Sequence, residues 1–220
     1  MPAVGKNVAR KDGIGKATGG ARYADDLVFP GMLHGRTIRS TIPCGRVRNI
    51  SLDFDTTGFT IVDYRDVPAR NAVDLIAQDQ PFLVETEVRH MAEPILLLAH
   101  EDRETLNAAQ VTIEYDEDTP VFDPEKSTQI FKTIDIVKGE VEAALAAADL
   151  IVEGTYRTGH QEHVYIEPNA VIAMPEEGGV AIFGSMQCPF YVLKALRCLL
   201  GTAPPNARLL PTRAGRGISA

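Results

Sequence analysis

Apolar positions in the first third of the chain fall into short runs cut by turn residues, which is the pattern of strands rather than helices. Leu33 to Ser40, Val47 to Asp53 and Phe59 to Tyr64 read as strands separated by Pro43, Gly45 and Gly58. Between Tyr64 and Glu93 the pattern dissolves into polar, irregular sequence with Pro68 and Pro81 as breakers, so a long loop with one short strand near Phe82 is expected. Periodicity returns sharply afterwards. Pro94 to Ala99 is a continuous apolar run of strand length, Glu101, Asp102 and Glu104 place negative charge where a helix N-terminus favours it, and Val111 to Tyr115 alternates Val, Ile and Tyr with Thr and Glu. This predicts strand, short helix, strand. Thr119 to Ser127, with two prolines and no periodicity, reads as a linker.

Beyond the linker the character changes. Val141 to Asp149 is Ala-rich and predicts a helix, and Leu150 to Arg157 alternates so that Leu150, Val152 and Tyr156 share one face, predicting a half-buried strand. Asn169 to Met174 and Val180 to Gly184 flank a Gly-rich turn and predict a β-hairpin. A helix is expected from Pro189, suited to the first helical position, along the stripe Phe190, Leu193, Leu196, Leu200 to Gly201, suited to the position after the C-cap. Arg208 to Thr212 predicts a final strand with an exposed edge. The fold class is therefore α+β, in two lobes divided near residues 120 to 135.

Charge and cysteine content narrow the function classes. Lys and Arg number 22 against 30 Asp and Glu, a net charge of −8 over 220 residues, which argues against nucleic acid or an anionic membrane surface as a partner. No stretch approaches the roughly 18 apolar residues of a membrane span, and Met1 to Gly13 has no apolar core of a secretory signal. Cys44, Cys188 and Cys198 form no CxxC pair and suit a reducing, cytoplasmic location.

Few motifs carry chemistry on their own. Gly13 to Gly20 (GIGKATGG) fails as a phosphate loop, because Gly15-Lys16 is followed by Ala17, Arg10 stands five residues before Gly15, and no strand precedes it. A glycine-bearing lead-in loop is expected instead. His160 to His163 (HQEH), with Glu167, invites a metal site, a polar cluster at a lobe junction, or a cofactor or partner contact. In an extended segment positions i and i+3 face opposite ways, which disfavours direct ligation. Ser185 lies outside a G-x-S-x-G elbow and Cys188 has no base in sequence reach. Gln187 is placed just before a helix N-terminus, where an amide can hydrogen-bond an anionic ligand beside backbone N–H groups.

Several segments together resemble the large, molybdenum-binding subunit of the xanthine dehydrogenase and aldehyde oxidase family. Lys11 to Leu27, Pro30 to Ser40 and Val88 to Tyr115 follow that family's α/β hammerhead domain in order; QEHVYIEP (Gln161 to Pro168) resembles its QEH-x-Y-x-E signature. GSMQCPF (Gly184 to Phe190) resembles its S-T-Q loop, with Met186 in place of Thr. The resemblance implies a hammerhead domain over residues 1–125 and the truncated start of a molybdopterin-binding domain over 126–220. It also implies a molybdenum-pyranopterin cofactor, as molybdopterin cytosine dinucleotide in a bacterial member, that hydroxylates an electron-poor carbon while iron-sulfur and FAD subunits take the electrons. On this basis Gln187 is the cofactor-binding residue and Gln161, His163 and Glu167 support the site from behind. No catalytic residue and no protein ligand to the metal is assigned.

One departure from the family is expected to matter. Where the family continues into a GGGFGGK loop, this chain reads Arg213 to Ala220 (RAGRGISA), and the later general-base glutamate has no counterpart. The polypeptide alone is therefore expected to be inert, as one half of a split subunit or a truncated product, with a partner chain supplying the rest. The alternative is a non-catalytic remnant or interaction module that retains the hammerhead fold. An open C-terminal edge also favours a homo-oligomer. The substrate, whether purine, aldehyde or aromatic thioester, is not legible.

Overall fold

The fold is described from a computed structural model, for residues 4–73, 78–130, 132–161, 170–186, 188–201 and 207–211. The chain forms two compact units, residues 1–119 together with 164–220, and residues 120–163.

In the larger unit, strand β1 (His34–Arg39), β2 (Gly45–Leu52), β3 (Thr60–Val62), β4 (Glu87–Val88), β5 (Pro94–His100) and β6 (Val111–Glu117) make two three-stranded sheets, ordered β1-β5-β3 and β4-β2-β6. All pairings are antiparallel. The apolar run Pro94–His100 becomes the middle strand because it is the one segment that can lose water on both faces: Ile95, Leu96 and Leu98 are all buried. Helix α2 (Arg103–Ala108) follows at once, its N-terminus capped by Asp102, whose carboxylate accepts from the Thr105 N–H. Its C-terminus is held by Arg36 of β1, whose Nη1 donates to the carbonyls of Leu106 (3.2 Å), Asn107 (3.2 Å) and Ala109 (2.8 Å). A cation thus satisfies carbonyls that the helix leaves open. Leu106 drops from α2 into a core shared with Ile38, Ile42, Val84 and Val88, with Val47, Ile50, Ile113 and Tyr115 packed around it.

Strand β2 shows how pattern and register are reconciled. Val47 and Ile50 are three apart and would face opposite ways in a regular strand, but Val47 pairs with Tyr115 and Asn49 with Glu114. Arg48 is therefore an extra, bulged residue, and the bulge turns both apolar side chains to the core. At the start of β2, Gly45 has φ +147, and a Cβ there would run into the Asp116 carbonyl oxygen.

The expected strand near Phe82 is absent. The N–H groups of Phe82 and Leu83 both donate to the Asn71 side-chain oxygen (3.1 Å each), so a side chain takes the place of a partner strand, and pairing is made instead at Glu87–Val88 and in an isolated bridge between Val73 and Gln80. The expected lead-in loop contains a five-residue helix, α1 (Gly13–Ala17), preceded by Asp12, which pairs with Arg10 and with Lys16 one turn on. Glu93 is 2% exposed, and its carboxylate accepts the Arg89 N–H at 2.7 Å, fixing the turn into β5.

The third sheet, ordered β7-β8-β9, holds β7 (Val171–Glu176), β8 (Gly179–Gly184) and β9 (Ala207–Pro211), with helix α4 (Pro189–Leu200) between β8 and β9. The predicted hairpin is present, turning through Glu177 and Gly178. The fold is α+β, as expected. The smaller unit contains helix α3 (Val141–Ala146), a 3-10 turn over Pro124–Lys126 and chain without regular secondary structure. There the predicted half-buried strand over Leu150 to Arg157 is not found: the segment is exposed and makes no strand pairing. Alternation marks the face a strand would bury but does not supply the strand beside it. Among the described residues no helix is long and apolar enough to cross a membrane.

Two measurements follow from this architecture. Leu98, fully buried in the middle strand, is expected to cost about 2–5 kcal/mol as Leu98→Ala in urea unfolding, against near-neutral Leu97→Ala on the more exposed face. The Arg65 guanidinium, hydrogen-bonded to Asp63, holds that carboxyl below the usual carboxylate range. Stability from Asp63 is therefore complete above about pH 4, its unfolded value, and is lost as pH falls through the lower folded value. Asp63→Asn is expected to flatten this part of the acid limb of the stability–pH curve.

Candidate functional site

The site is built on the β8–α4–β9 crossover. β8 and β9 are parallel, with Gly184 beside Pro211, so their carboxyl ends lie together. In open α/β units the crevice outside the carboxyl ends of parallel strands is where ligands sit, because the connecting helix begins there with its N–H groups free. β7 begins at this end too, with Val171 opposite Gly184. The chain leaves β8 through Gly184, Ser185 and Met186 and starts α4 at Pro189, which cannot donate and is suited to the first helical position.

The start of α4 has no side-chain cap. Its N-cap, Cys188, makes no side-chain capping bond, the first turn carries no acidic residue, and the Tyr191 and Val192 N–H groups turn back to the Cys188 carbonyl (3.1 and 3.3 Å). The other end is closed by Gly201 in the left-handed region (φ +63), whose N–H donates to the Arg197 carbonyl at 3.0 Å. That end is tied to the first lobe, where the Arg70 N–H donates to the Cys198 carbonyl (3.2 Å), and Phe29 and Phe183 meet with ring centres 5.3 Å apart. The hammerhead lobe therefore fixes the helix whose N-terminus faces the crevice.

Of the residues singled out in the sequence, Gln161 is exposed, on chain without regular secondary structure in the smaller unit. His163, Glu167 and Gln187 lie outside the described residues, so the four are not seen together. Sequence alone finds no base in reach of Cys188; its place as an N-cap without a side-chain cap is signalled only by the following Pro189. Ser185 and Met186 are half-buried. Among the described residues no group of three His, Cys, Asp or Glu side chains is gathered for a metal. A second cleft of about 450 Å³ lies beside β4. Its charges are spent on one another: Arg46 and Arg89 both pair with Glu87 (3.3 and 3.8 Å), and Arg89 also donates to the Asp79 carbonyl.

A two-sheet lobe followed by a sheet-and-helix unit with a parallel β8–α4–β9 crossover describes the fold, and comparison with known proteins defines the family. Residues 18–119 match the aldehyde oxidase and xanthine dehydrogenase a/b hammerhead domain, and residues 122–217 match the molybdopterin cofactor-binding domain. The chain is 30% identical to the nicotinate dehydrogenase large molybdopterin subunit of Eubacterium barkeri, over 98% of this chain and 55% of that protein. It is 32% identical to a probable xanthine dehydrogenase subunit of Bacillus subtilis, over 81% of this chain and 26% of that one. The fold is also that of quinoline 2-oxidoreductase from Pseudomonas putida 86 (TM-score 0.82, 20% identity, 98% of this chain and 31% of that one). Aldehyde oxidoreductase from Desulfovibrio gigas superimposes equally well (TM-score 0.83, 23% identity, 98% and 28%). The chain belongs to the xanthine dehydrogenase and aldehyde oxidase large-subunit family and carries its hammerhead domain and the start of its molybdopterin-binding domain. It spans about half of the first of these relatives and about a quarter of the second.

Gly184 is the hinge of the site. A Cβ there would stand 3.1 Å from the Met186 methyl and 3.2 Å from the Ala170 carbonyl oxygen. Gly184→Val is expected to displace the loop before α4 and to cost about 1–3 kcal/mol in thermal or urea unfolding. Unchanged stability, with unshifted amide resonances at Ser185 and Met186, would contradict that role.

Proposed function

We propose that this chain is the hammerhead-bearing part of the large subunit of a molybdenum-dependent hydroxylase, with residues 1–125 as hammerhead and 126–220 as the first part of the cofactor domain. The observation that carries the reading is the uncapped N-terminus of α4 at the carboxyl ends of β8 and β9. The Ser185 hydroxyl and the Cys188 thiol beside this turn would offer hydrogen bonds to the organic part of a pterin-held metal, while the Tyr191 and Val192 N–H groups are engaged by the Cys188 carbonyl. When bound, the molybdenum-pyranopterin supplies the two-electron redox chemistry.

The chain's own tasks are binding and orientation. Gln187, next to the helix N-terminus, donates and accepts hydrogen bonds at the cofactor, and Gln161, His163 and Glu167 brace it from behind. The dipole of α4 would favour an anionic phosphate of a molybdopterin cytosine dinucleotide held near its N-terminus. Hydroxylation of an electron-poor carbon is the reaction of the complete enzyme, with iron-sulfur and FAD subunits carrying electrons away. The enclosed core around Leu98 and Leu106 also supports the second reading, a hammerhead module that folds without metal.

Purification from the native host with molybdenum and pterin analysis tests the first reading. It predicts molybdenum and pterin in equal amounts in a complex with iron-sulfur and FAD subunits, with both reduced at least several-fold by Gln187→Ala and less by Gln161→Ala. A chain that purifies alone and free of molybdenum, or loading indifferent to Gln187, overturns it.

A further inference from the structure

Phe29 is set in place by local structure on both sides of it. Before it, Ala24–Asp26 make one 3-10 turn, closed by the Tyr23 N–H on the Asp26 carboxylate (2.9 Å) and by the Leu27 N–H on the Ala24 carbonyl (3.2 Å), with Ala24 buried. After it, Pro30 and Gly31 form a tight turn: the Met32 N–H donates to the Phe29 carbonyl at 3.2 Å, and Gly31 stands at φ +70. Proline second and a left-handed glycine third is the arrangement a type II turn favours. The backbone of Phe29 therefore owes its position to its own neighbours in the chain. Its half-buried ring reaches the third sheet, where its centre lies 5.3 Å from that of Phe183 with 40° between the planes. Met32, Leu33, Ile172 and Met174 border, with Phe29, a cleft of about 500 Å³, so open space rather than packed core adjoins the contact.

Phe183 is the last side chain of β8 before the loop into α4. It is paired in register with Ile172 on one side and Leu210 on the other, and Gly184 follows. Because Gly184 is bare, the Met186 methyl folds back to within 3.1 Å of where a Cβ would stand. The loop thus rests on a glycine, and the first side chain upstream that can anchor it is Phe183. The far end of α4 is held differently, by the Arg70 N–H on the Cys198 carbonyl, a backbone bond that no side-chain change removes. We propose that Phe29 is a positioning residue for the loop that follows β8: its ring fixes Phe183 and so the direction in which the chain leaves the strand towards Gln187. A tilted ring pair adds directional attraction to the area it buries, which suits it to this task. The consequence for the cofactor rests on the functional reading above. Gln187 is bonded to Met186, so a displaced loop weakens the hold on the pterin.

NMR of the full chain, with labelled methionine methyls and backbone amides, tests the placement without any cofactor. Phe29→Ala is expected to move the Met186 methyl and Ser185 amide resonances, and Phe29→Tyr, whose hydroxyl the adjoining cleft accommodates, to restore both. Val28→Ala, at a neighbouring side chain 80% exposed, leaves them in place, as every variant leaves the exposed Met91 methyl. A merely structural role lowers the unfolding midpoint without moving resonances of the folded chain. In the complex from the native host, molybdenum and pterin per chain are expected to fall about three- to tenfold in Phe29→Ala, the range an aromatic pair contributes, and to recover in Phe29→Tyr. If Phe29→Ala does not fold, Phe29→Leu, which keeps an apolar side chain and removes the ring, carries the same comparison. Met186 and Ser185 resonances unmoved by loss of the ring, or loading unchanged where the wild type carries molybdenum, would overturn the proposal. A wild type free of molybdenum strikes the functional reading, and the two resonances then decide the role of Phe29 in placing the loop by themselves.

Discussion

Strand β5 is held on both edges and on both faces, and the rest of the larger unit is arranged around that fact. β1 pairs along one edge and β3 along the other, while Ile95, Leu96 and Leu98 lose water on the two faces. Its ends determine what happens next in the chain. At one end buried Glu93 fixes the turn into the strand; at the other Asp102 starts α2 within two residues of the strand's last position. α2 can close over the core only if its C-terminal carbonyls are satisfied where they approach β1, and Arg36 does that with three hydrogen bonds from one nitrogen. Burial of an apolar strand and capping of a short helix are thus one structure.

What was legible in the sequence was what is determined locally. The run from Pro94, the alternation from Val111 and the α4 stripe with Pro189 and Gly201 at its ends all formed within a residue or two of expectation, because periodicity and caps act over a single element. What depends on a distant partner was not. The Asn71 side chain bonding Phe82 and Leu83, the bulge at Arg48 and the pairing of Glu87–Val88 with β2 all join residues far apart in sequence. Leu150 to Arg157 is the instructive failure. Its alternation describes a face that would be buried, and the structure shows that face still exposed.

The site was legible in a different sense. Gln187 stands out in the sequence for its place before a helix, and the structure shows that helix starting without a side-chain cap; its meaning came from resemblance over whole segments, since no isolated motif there carries redox chemistry. The hammerhead lobe matters to it mechanically. Contacts from Arg70 and Phe29 hold α4 and β8 where they are, so a family fold that is mostly scaffold orients one short loop.

A core built on β5 supports the β8–α4–β9 crossover, while residues 150–157 stay exposed outside any strand pairing. Native-state hydrogen exchange on the chain alone tests this picture most directly. Ile95 to Leu98 are predicted to exchange slowest of all, β8 amides to be protected, and residues 150–157 to exchange at nearly the rate of unfolded chain. Protection of 150–157 comparable to that of β5 in the isolated chain would contradict it.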